Sequence, residues 1–230
     1  MVLCVLCSGC RGTGALEPSA APTDLATAAS AVSTDDDVPG ELAMRDAIAA
    51  GDAAEVAALL DAGAKPTLDW GAGVTAMHWA AARDQREIVA LLVDHGANIN
   101  VRTDAGQTPL LLASTAASYD TVAWLLAHGA DPTISSYALP TQNALHDAAA
   151  AGNADAVRAL LDFGVDPNVR DANGSTPLLL ASWFGRRDAG LALLAAGADT
   201  RFRDARGQTA LDWALSRHDD GMAADLQAAG

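Results

Sequence analysis

TPLLLASWFGRRDAGLALLAAGA, residues 176–198, is one copy of a pattern that recurs along this chain of 230 residues. The copy opens with Thr-Pro-Leu-Leu, continues through small residues, and ends with a leucine-rich run and Gly-Ala. The closing glycines lie at Gly63, Gly96, Gly129, Gly164, Gly197 and Gly230, so successive glycines are 33, 33, 35, 33 and 33 residues apart. A constant period near 33 residues indicates a stack of similar units rather than a globular domain with a single core.

The opening of each unit predicts the start of a helix. The openings begin at Thr75, Thr108, Asn143, Thr176 and Thr209. Thr and Asn side chains can accept a hydrogen bond from a free backbone amide at a helix N-terminus. The third residue of each opening is Leu or Met, as a buried position requires, and the small residues that follow allow helices to approach closely. The leucine-rich run then predicts a second helix.

These motifs together resemble the ankyrin repeat, whose signature is Thr-Pro-Leu-His, then Ala-Ala, then a Leu-Leu helix that ends in Gly-Ala. The resemblance covers residues 41–230 and implies an all-α solenoid of about six helix–turn–helix repeats with short β-turn fingers. Asp84, Ala117 and His218 replace the glycine that is usual between the two helices of a repeat. We expect those three turns to be less ideal.

Composition narrows the range of partners. Half of the residues are hydrophobic but only 4% are aromatic, which predicts a core of Ala and Leu. The formal net charge of −15 argues against nucleic acid, whose phosphates require a basic surface, and against anionic membrane surfaces. We therefore expect a protein partner, a monomeric chain, and contact with a membrane only through a lipid anchor.

The first ten residues carry all three cysteines, Cys4, Cys7 and Cys10, and end in Ser-Gly-Cys. This segment resembles the end of a bacterial lipoprotein signal peptide, which implies a lipidated Cys10. Because it is short for a signal peptide and lacks a basic start, we interpret residues 1–10 as a truncated signal. Residues 11–40 then form a disordered tether to the domain at 41–230, and the protein is expected in the bacterial cell envelope, outside the cytoplasm.

Two other interpretations of the N-terminus remain open. In the first, the protein is a cytosolic ankyrin adaptor in which the tail has no function. In the second, Cys7-Ser8-Gly9-Cys10-Arg11-Gly12-Thr13-Gly14 matches one unit of the zinc region of J-domain chaperones. A structural zinc site needs four ligands and this segment offers three thiols, so we predict no metal site.

The repeats contain no pattern that indicates catalysis. His78 and His146 share the position at which ankyrin repeats use histidine to hydrogen-bond neighbouring backbone. His95 and His128 each end an outer helix, where a cation suits the helix dipole. The sequence has no glycine-rich phosphate loop, zinc-protease helix motif or nucleophile elbow. We predict no catalytic residue and no cofactor, and hence a non-enzymatic protein-binding scaffold.

The resemblance implies a concave groove lined by the fingers and the inner helices. One finger position holds Asp69, Arg102, Ser135, Arg170 and Arg203, and Arg206 lies nearby. Trp183 and Phe184 occupy inner-helix positions that face the groove, and large aromatic residues dominate interface hot spots. The predicted protein-binding residues are Arg102, Arg170, Trp183, Phe184, Arg203 and Arg206. The alternative is that the arginines are merely solvated and the two rings fold onto a neighbouring repeat.

The remaining aromatic residues are predicted to lie either in the core or in the fingers. Trp79, Trp124 and Trp213 are expected in the core. Trp70 and Tyr137 lie in fingers and are expected to be available to a ligand. A two-residue insertion around Ser135–Thr141 lengthens one finger.

Overall fold

A computed structural model describes residues 39–139 and 141–230. Within these residues the helices are α1 (Pro39–Ala50), α2 (Ala53–Asp61), α3 (Ala76–Ala82), α4 (Arg86–Asp94), α5 (Pro109–Ala116), α6 (Tyr119–Ala127), α7 (Ala144–Ala151), α8 (Ala154–Asp162), α9 (Pro177–Phe184), α10 (Arg187–Ala195), α11 (Ala210–Ser216) and α12 (Asp220–Ala229). They form six helix–turn–helix pairs, which confirms the predicted all-α architecture. Helix α1 begins two residues before the predicted domain start at residue 41. The predicted truncated signal with Cys10, and the tether up to residue 38, lie outside the described residues.

Side-chain caps explain where the inner helices begin. The Thr108 hydroxyl accepts a hydrogen bond from the Leu111 amide at 3.3 Å, and Thr176 caps α9 in the same way. Pro109 and Pro177 occupy the first helical position, where a missing N–H leaves no bond unmade. Asn143 caps α7 through its side-chain oxygen. The helix starts predicted from the sequence are confirmed at these positions.

The helices lie in two layers around one continuous core. The inner helices α1, α3, α5, α7, α9 and α11 pack side by side, and the outer helices α2, α4, α6, α8, α10 and α12 form the second layer. The third residue of each opening motif is buried in four of the five cases, as in Met77, Leu145 and Leu178. Alanine supplies much of the rest of the core, so adjacent helices can approach closely.

The turns between paired helices differ where glycine is missing. Asp84 and His218 adopt the left-handed conformation, with φ angles of 59° and 57°. This conformation is unfavourable for a residue that has a Cβ atom. Ala117 avoids that conformation and is extended instead. The predicted departure from ideal geometry is therefore confirmed at Asp84 and His218, whereas the α5–α6 connection uses a different backbone path.

The fingers are short turns that bond to one another along the stack. Within a finger, the Thr103 amide donates to the Gln107 carbonyl at 3.0 Å. Between fingers, the Asp104 amide donates to the Ala72 carbonyl at 2.8 Å, and the Ala205 amide to Asn173 at 2.9 Å. Over the described residues, none of the helices combines the length and the apolar character needed to cross a membrane.

Candidate protein-binding groove

An aromatic cluster lies in the groove at repeats five and six. The Trp183 ring stacks between Phe184, with centroids 5.7 Å apart, and Trp213, with centroids 5.0 Å apart. The Arg206 guanidinium lies 5.4 Å from the Trp183 ring centroid and 5.8 Å from that of Trp213. The Trp213 indole N–H donates to the Asp204 carboxylate at 3.0 Å, which holds this ring in place.

Trp183 and Phe184 were predicted either to face the groove or to fold onto a neighbouring repeat, and each prediction is partly correct. Trp183 does fold onto the next repeat, where it meets Trp213, yet both predicted residues remain partly exposed. Trp213 was expected in the core; its side chain packs against the core but is only partly buried, because its ring also belongs to this stack. Four side chains, Trp183, Phe184, Trp213 and Arg206, therefore form one surface that we call the aromatic cluster.

The three arginines at the shared finger position are exposed, and each guanidinium bonds to finger backbone. Arg102 Nη2 donates to the Ser135 carbonyl in the next finger at 2.7 Å. Arg170 Nη2 likewise donates to the Arg203 carbonyl at 3.3 Å. Arg203 Nη1 donates to the Gly207 carbonyl of its own finger at 2.7 Å.

The bonds of Arg102 and Arg170 join successive fingers, a structural role that the sequence did not reveal, whereas the Arg203 bond stays within its own finger. The guanidinium of Arg170 also donates to the carbonyl of Gly174, and a Cβ atom at Gly174 would collide with it. The φ of +74° is what favours glycine here, and a side chain at this position would also displace the guanidinium from its present place.

The opposite end of the groove holds a second pair of tryptophans. Trp70 and Trp79 meet edge to face with centroids 5.9 Å apart, and Arg45 and Arg83 lie over their respective rings. Trp79 is buried, as predicted. The expectation that Trp70 is available to a ligand is wrong, because only 1% of its surface is exposed. Its finger folds back over the inner helices.

Two further aromatic predictions have different outcomes. Tyr137 is 64% exposed in its finger, with Arg102 above its ring, as expected of a residue available to a ligand. Trp124 was expected in the core but is only partly buried. Its ring stacks on His128 at 3.7 Å, at the C-terminal end of α6. His128 thereby covers the face of the indole that the core leaves open.

The buried histidines connect each repeat to the following finger. His78 Nδ1 accepts from the Thr75 amide at 3.1 Å, so the proton lies on Nε2, which faces the Gln107 carbonyl at 3.2 Å. His146 repeats this arrangement with Asn143 and Ser175. Burial lowers the pKa of His78 to about 4 and also lowers that of His146. Both are neutral at pH 7 and serve the structural role that was predicted.

One carboxylate in the groove was missed by sequence reasoning. Asp147, on α7, is partly exposed, and among the described residues no hydrogen bond or ion pair to its side chain is present. Burial among apolar neighbours raises its pKa to about 7. The sequence offered one signal for this residue. Asp147 stands at the repeat position at which the neighbouring repeats have Leu112 and Leu180.

Comparison with known proteins identifies the architecture. The family described as ankyrin repeats matches residues 43–136 and 145–224, which is more than half of the chain. The protein belongs to the ankyrin-repeat family. A segment of 32 residues is also 62% identical to a protein of Pyrobaculum aerophilum named as an ankyrin repeat protein. That segment covers 14% of this chain and 12% of the relative, so it adds nothing about the whole protein's partners.

The groove of this ankyrin-repeat protein offers shape, aromatic surface and charge. No group of three or more histidine, cysteine, aspartate or glutamate residues that could hold a metal ion occurs within residues 39–139 and 141–230. The aromatic cluster provides flat apolar surface beside a cation. One repeat away, Asp147 provides a carboxylate that has no partner within residues 39–139 and 141–230. Such a surface is suited to binding.

Proposed function

We propose that this ankyrin-repeat protein is a non-enzymatic scaffold that binds another protein in its concave groove, with the aromatic cluster as the main contact surface. The observation that carries the proposal is the stack of Trp183 on Trp213 with Arg206 beside both rings. Tryptophan and arginine dominate interface hot spots because they bury large areas and combine apolar with polar contact.

The aromatic cluster distinguishes one end of the groove from the rest. Repeats two and four carry Ala82-Arg83 and Ala150-Ala151 at the positions of Trp183 and Phe184. Core packing therefore does not demand large rings there, since other repeats fold with small side chains. Rings that packing does not require, and that stay partly exposed, favour a role in recognition.

The finger arginines are secondary contacts in this proposal. A guanidinium has five N–H donors, and Arg102, Arg170 and Arg203 each use only one or two of them on the fingers. The remaining donors can meet carbonyl or carboxylate oxygens of a partner. Arg203 also lies 3.8 Å from the Asp212 carboxylate, which makes it less available than Arg206.

The proposed location follows from the N-terminal sequence. We propose that Cys10 carries a lipid and that the protein is anchored in a bacterial envelope; the alternative is a cytosolic adaptor. The intact mass of the protein from the membrane fraction of its host tests this. A species that begins at Cys10 and carries diacylglycerol is expected, whereas an unmodified soluble species that retains Cys4 and Cys7 would establish the alternative.

Site-specific photo-crosslinking in the native host tests the groove itself. A photoreactive phenylalanine analogue replaces Phe184 in the groove or, as a matched control, Phe163, which is 52% exposed at the end of outer helix α8. We expect a discrete protein adduct from position 184 and none from 163. Adding Trp183→Ala and Arg206→Glu should abolish the adduct. Equal adducts from both positions, or an adduct insensitive to these changes, would refute binding through the aromatic cluster.

A further inference from the structure

One row of inner-helix positions runs along the floor of the groove. It is the fourth residue after each helix cap, and we call it the floor row: Trp79, Leu112, Asp147, Leu180 and Trp213. Both tryptophans of the row contact finger residues or groove side chains, namely Trp70 at one end and Trp183 at the other. The inner helices pack side by side, so the five side chains follow one another along the stack.

Asp147 stands at the centre of this row in apolar surroundings. The inner helices on either side, α5 and α9, have the sequences PLLLASTA and PLLLASWF, without a charged residue. At the neighbouring row positions Leu112 and Leu180 are 8% and 4% exposed. One turn further along α7 come Ala150 and Ala151, whose side chains are small and apolar.

A charged carboxylate in apolar surroundings is energetically unfavourable unless a partner group pairs with it. Removing a charged group from water costs free energy that only a hydrogen-bond donor or an opposite charge can offset. Two other aspartates of this protein illustrate such partners. Asp199 pairs with Arg201 at 2.9 Å, and Asp225 pairs with Arg187 at 2.7 Å. Asp147 has none among the described residues, and desolvation accounts for the direction of its pKa shift.

We propose that Asp147 is a recognition site for a lysine or arginine side chain of the protein partner. This inference rests on the proposed function and specifies the chemistry of the partner segment. Charge complementarity selects the occupant, because a basic side chain supplies both the opposite charge and the donors that the carboxylate lacks. The net charge of −15 also favours the approach of a basic partner.

The spacing of the repeats sets the register of the partner. Neighbouring inner helices lie about 10 Å apart, and Trp183 belongs to the repeat that follows Asp147. An extended peptide advances about 3.3 Å per residue. The partner segment should therefore place its basic residue about three residues from an apolar or aromatic residue that meets the aromatic cluster.

A displayed library of random dodecapeptides, selected against the full-length protein, tests this register. We expect enriched peptides to carry Lys or Arg about three residues from an aromatic or large apolar residue. Their affinity for Asp147→Asn should fall at least tenfold, and their affinity for the control Asp94→Asn, on outer helix α4, should not change. Replacing the peptide arginine by neutral citrulline should weaken binding to the wild type, with no further loss on Asp147→Asn.

The outcomes separate this inference from the proposed function. Peptides that need Trp183, but that contain no basic residue and bind Asp147→Asn as well as wild type, would overturn the role of Asp147 and leave groove binding intact. Peptides insensitive to Trp183→Ala, or no enriched peptide at all, would count against both. Circular dichroism and thermal unfolding of Asp147→Asn and of Asp147→Leu, which matches the neighbouring repeats, show whether the fold is retained.

Discussion

At residue scale, the ionisation of Asp147 connects the groove to folding stability. Its pKa of about 7 lies above the ordinary 3.8, so the folded state binds the proton more tightly than the unfolded state does. Stability contributed by this proton is present below pH 4 and is lost as the pH rises towards 7. A group that favours a bound partner thus destabilises the free protein at neutral pH.

We therefore expect Asp147→Asn to be more stable than wild type at pH 8 by about 1–3 kcal/mol. The pKa shift sets an upper bound of about 4 kcal/mol on this difference in the free energy of unfolding. The expected value is smaller because water in the groove screens part of the charge. The difference should shrink as the pH falls from 7 to 4. Urea unfolding at pH 4.5, 6 and 8 measures it, with Asp94→Asn as the control. A difference that does not vary with pH would contradict the raised pKa.

His78 should produce the opposite pH dependence. Its pKa of about 4 lies below the ordinary 6.5, because burial disfavours the imidazolium. Stability is therefore lost as the pH falls from 6.5 to 4, by at most about 3 kcal/mol. His78→Leu, which copies Leu111 and Leu179 of other repeats, should remove this dependence. Urea unfolding of both proteins across that range checks it; parallel profiles would show that His78 takes up its proton without cost.

At the scale of elements, the turns at Asp84 and His218 can be compared directly because they differ in their hydrogen bonds but share the same backbone conformation. Both residues are left-handed, and the Asp84 carboxylate also accepts hydrogen bonds from the Ser118 amide at 3.0 Å and its hydroxyl at 2.8 Å. We expect His218→Gly to raise the free energy of unfolding by about 0.5–1 kcal/mol, since glycine relieves strain. Asp84→Gly should instead lower it by about 1 kcal/mol, because two bonds to the next repeat are lost.

Thermal unfolding of both glycine variants, with His218→Ala as the control that keeps the strain, measures these effects. A gain for Asp84→Gly as large as that for His218→Gly would mean that the bonds to Ser118 contribute nothing.

Most of this element-scale architecture could be predicted from the sequence. Helix caps, the first-position prolines and the Gly-Ala ends depend on residues within one repeat, and the structure confirms them at Thr108, Asn143 and Thr176. Groove residues were harder to predict. Whether Trp70 is buried depends on how its finger folds over α1 and α3. The contact with α1 joins residues 25 positions apart, as the Arg45–Trp70 bond shows.

At the scale of the whole molecule, the strong negative charge should steer a basic partner. With 29 acidic and 14 basic residues, the protein attracts cations over distances that salt screens. For an arginine-containing peptide selected on the groove, we expect the association rate to fall about tenfold between 50 and 500 mM NaCl. The dissociation rate should change much less. Stopped-flow tryptophan fluorescence measures both rates, and an association rate that is flat with salt would exclude steering.

The sequence alone determined the number of repeats, their inner and outer helices and the places of the inner-helix caps, because a 33-residue period means that every unit packs in the same way against its nearest neighbours. Only the tertiary structure decided that Trp213 joins Trp183, that Arg102 and Arg170 join fingers, and that Asp147 has no partner among the described residues. These properties depend on side chains from adjacent repeats that meet only when the stack forms. A contact between repeats leaves no local pattern within either of them.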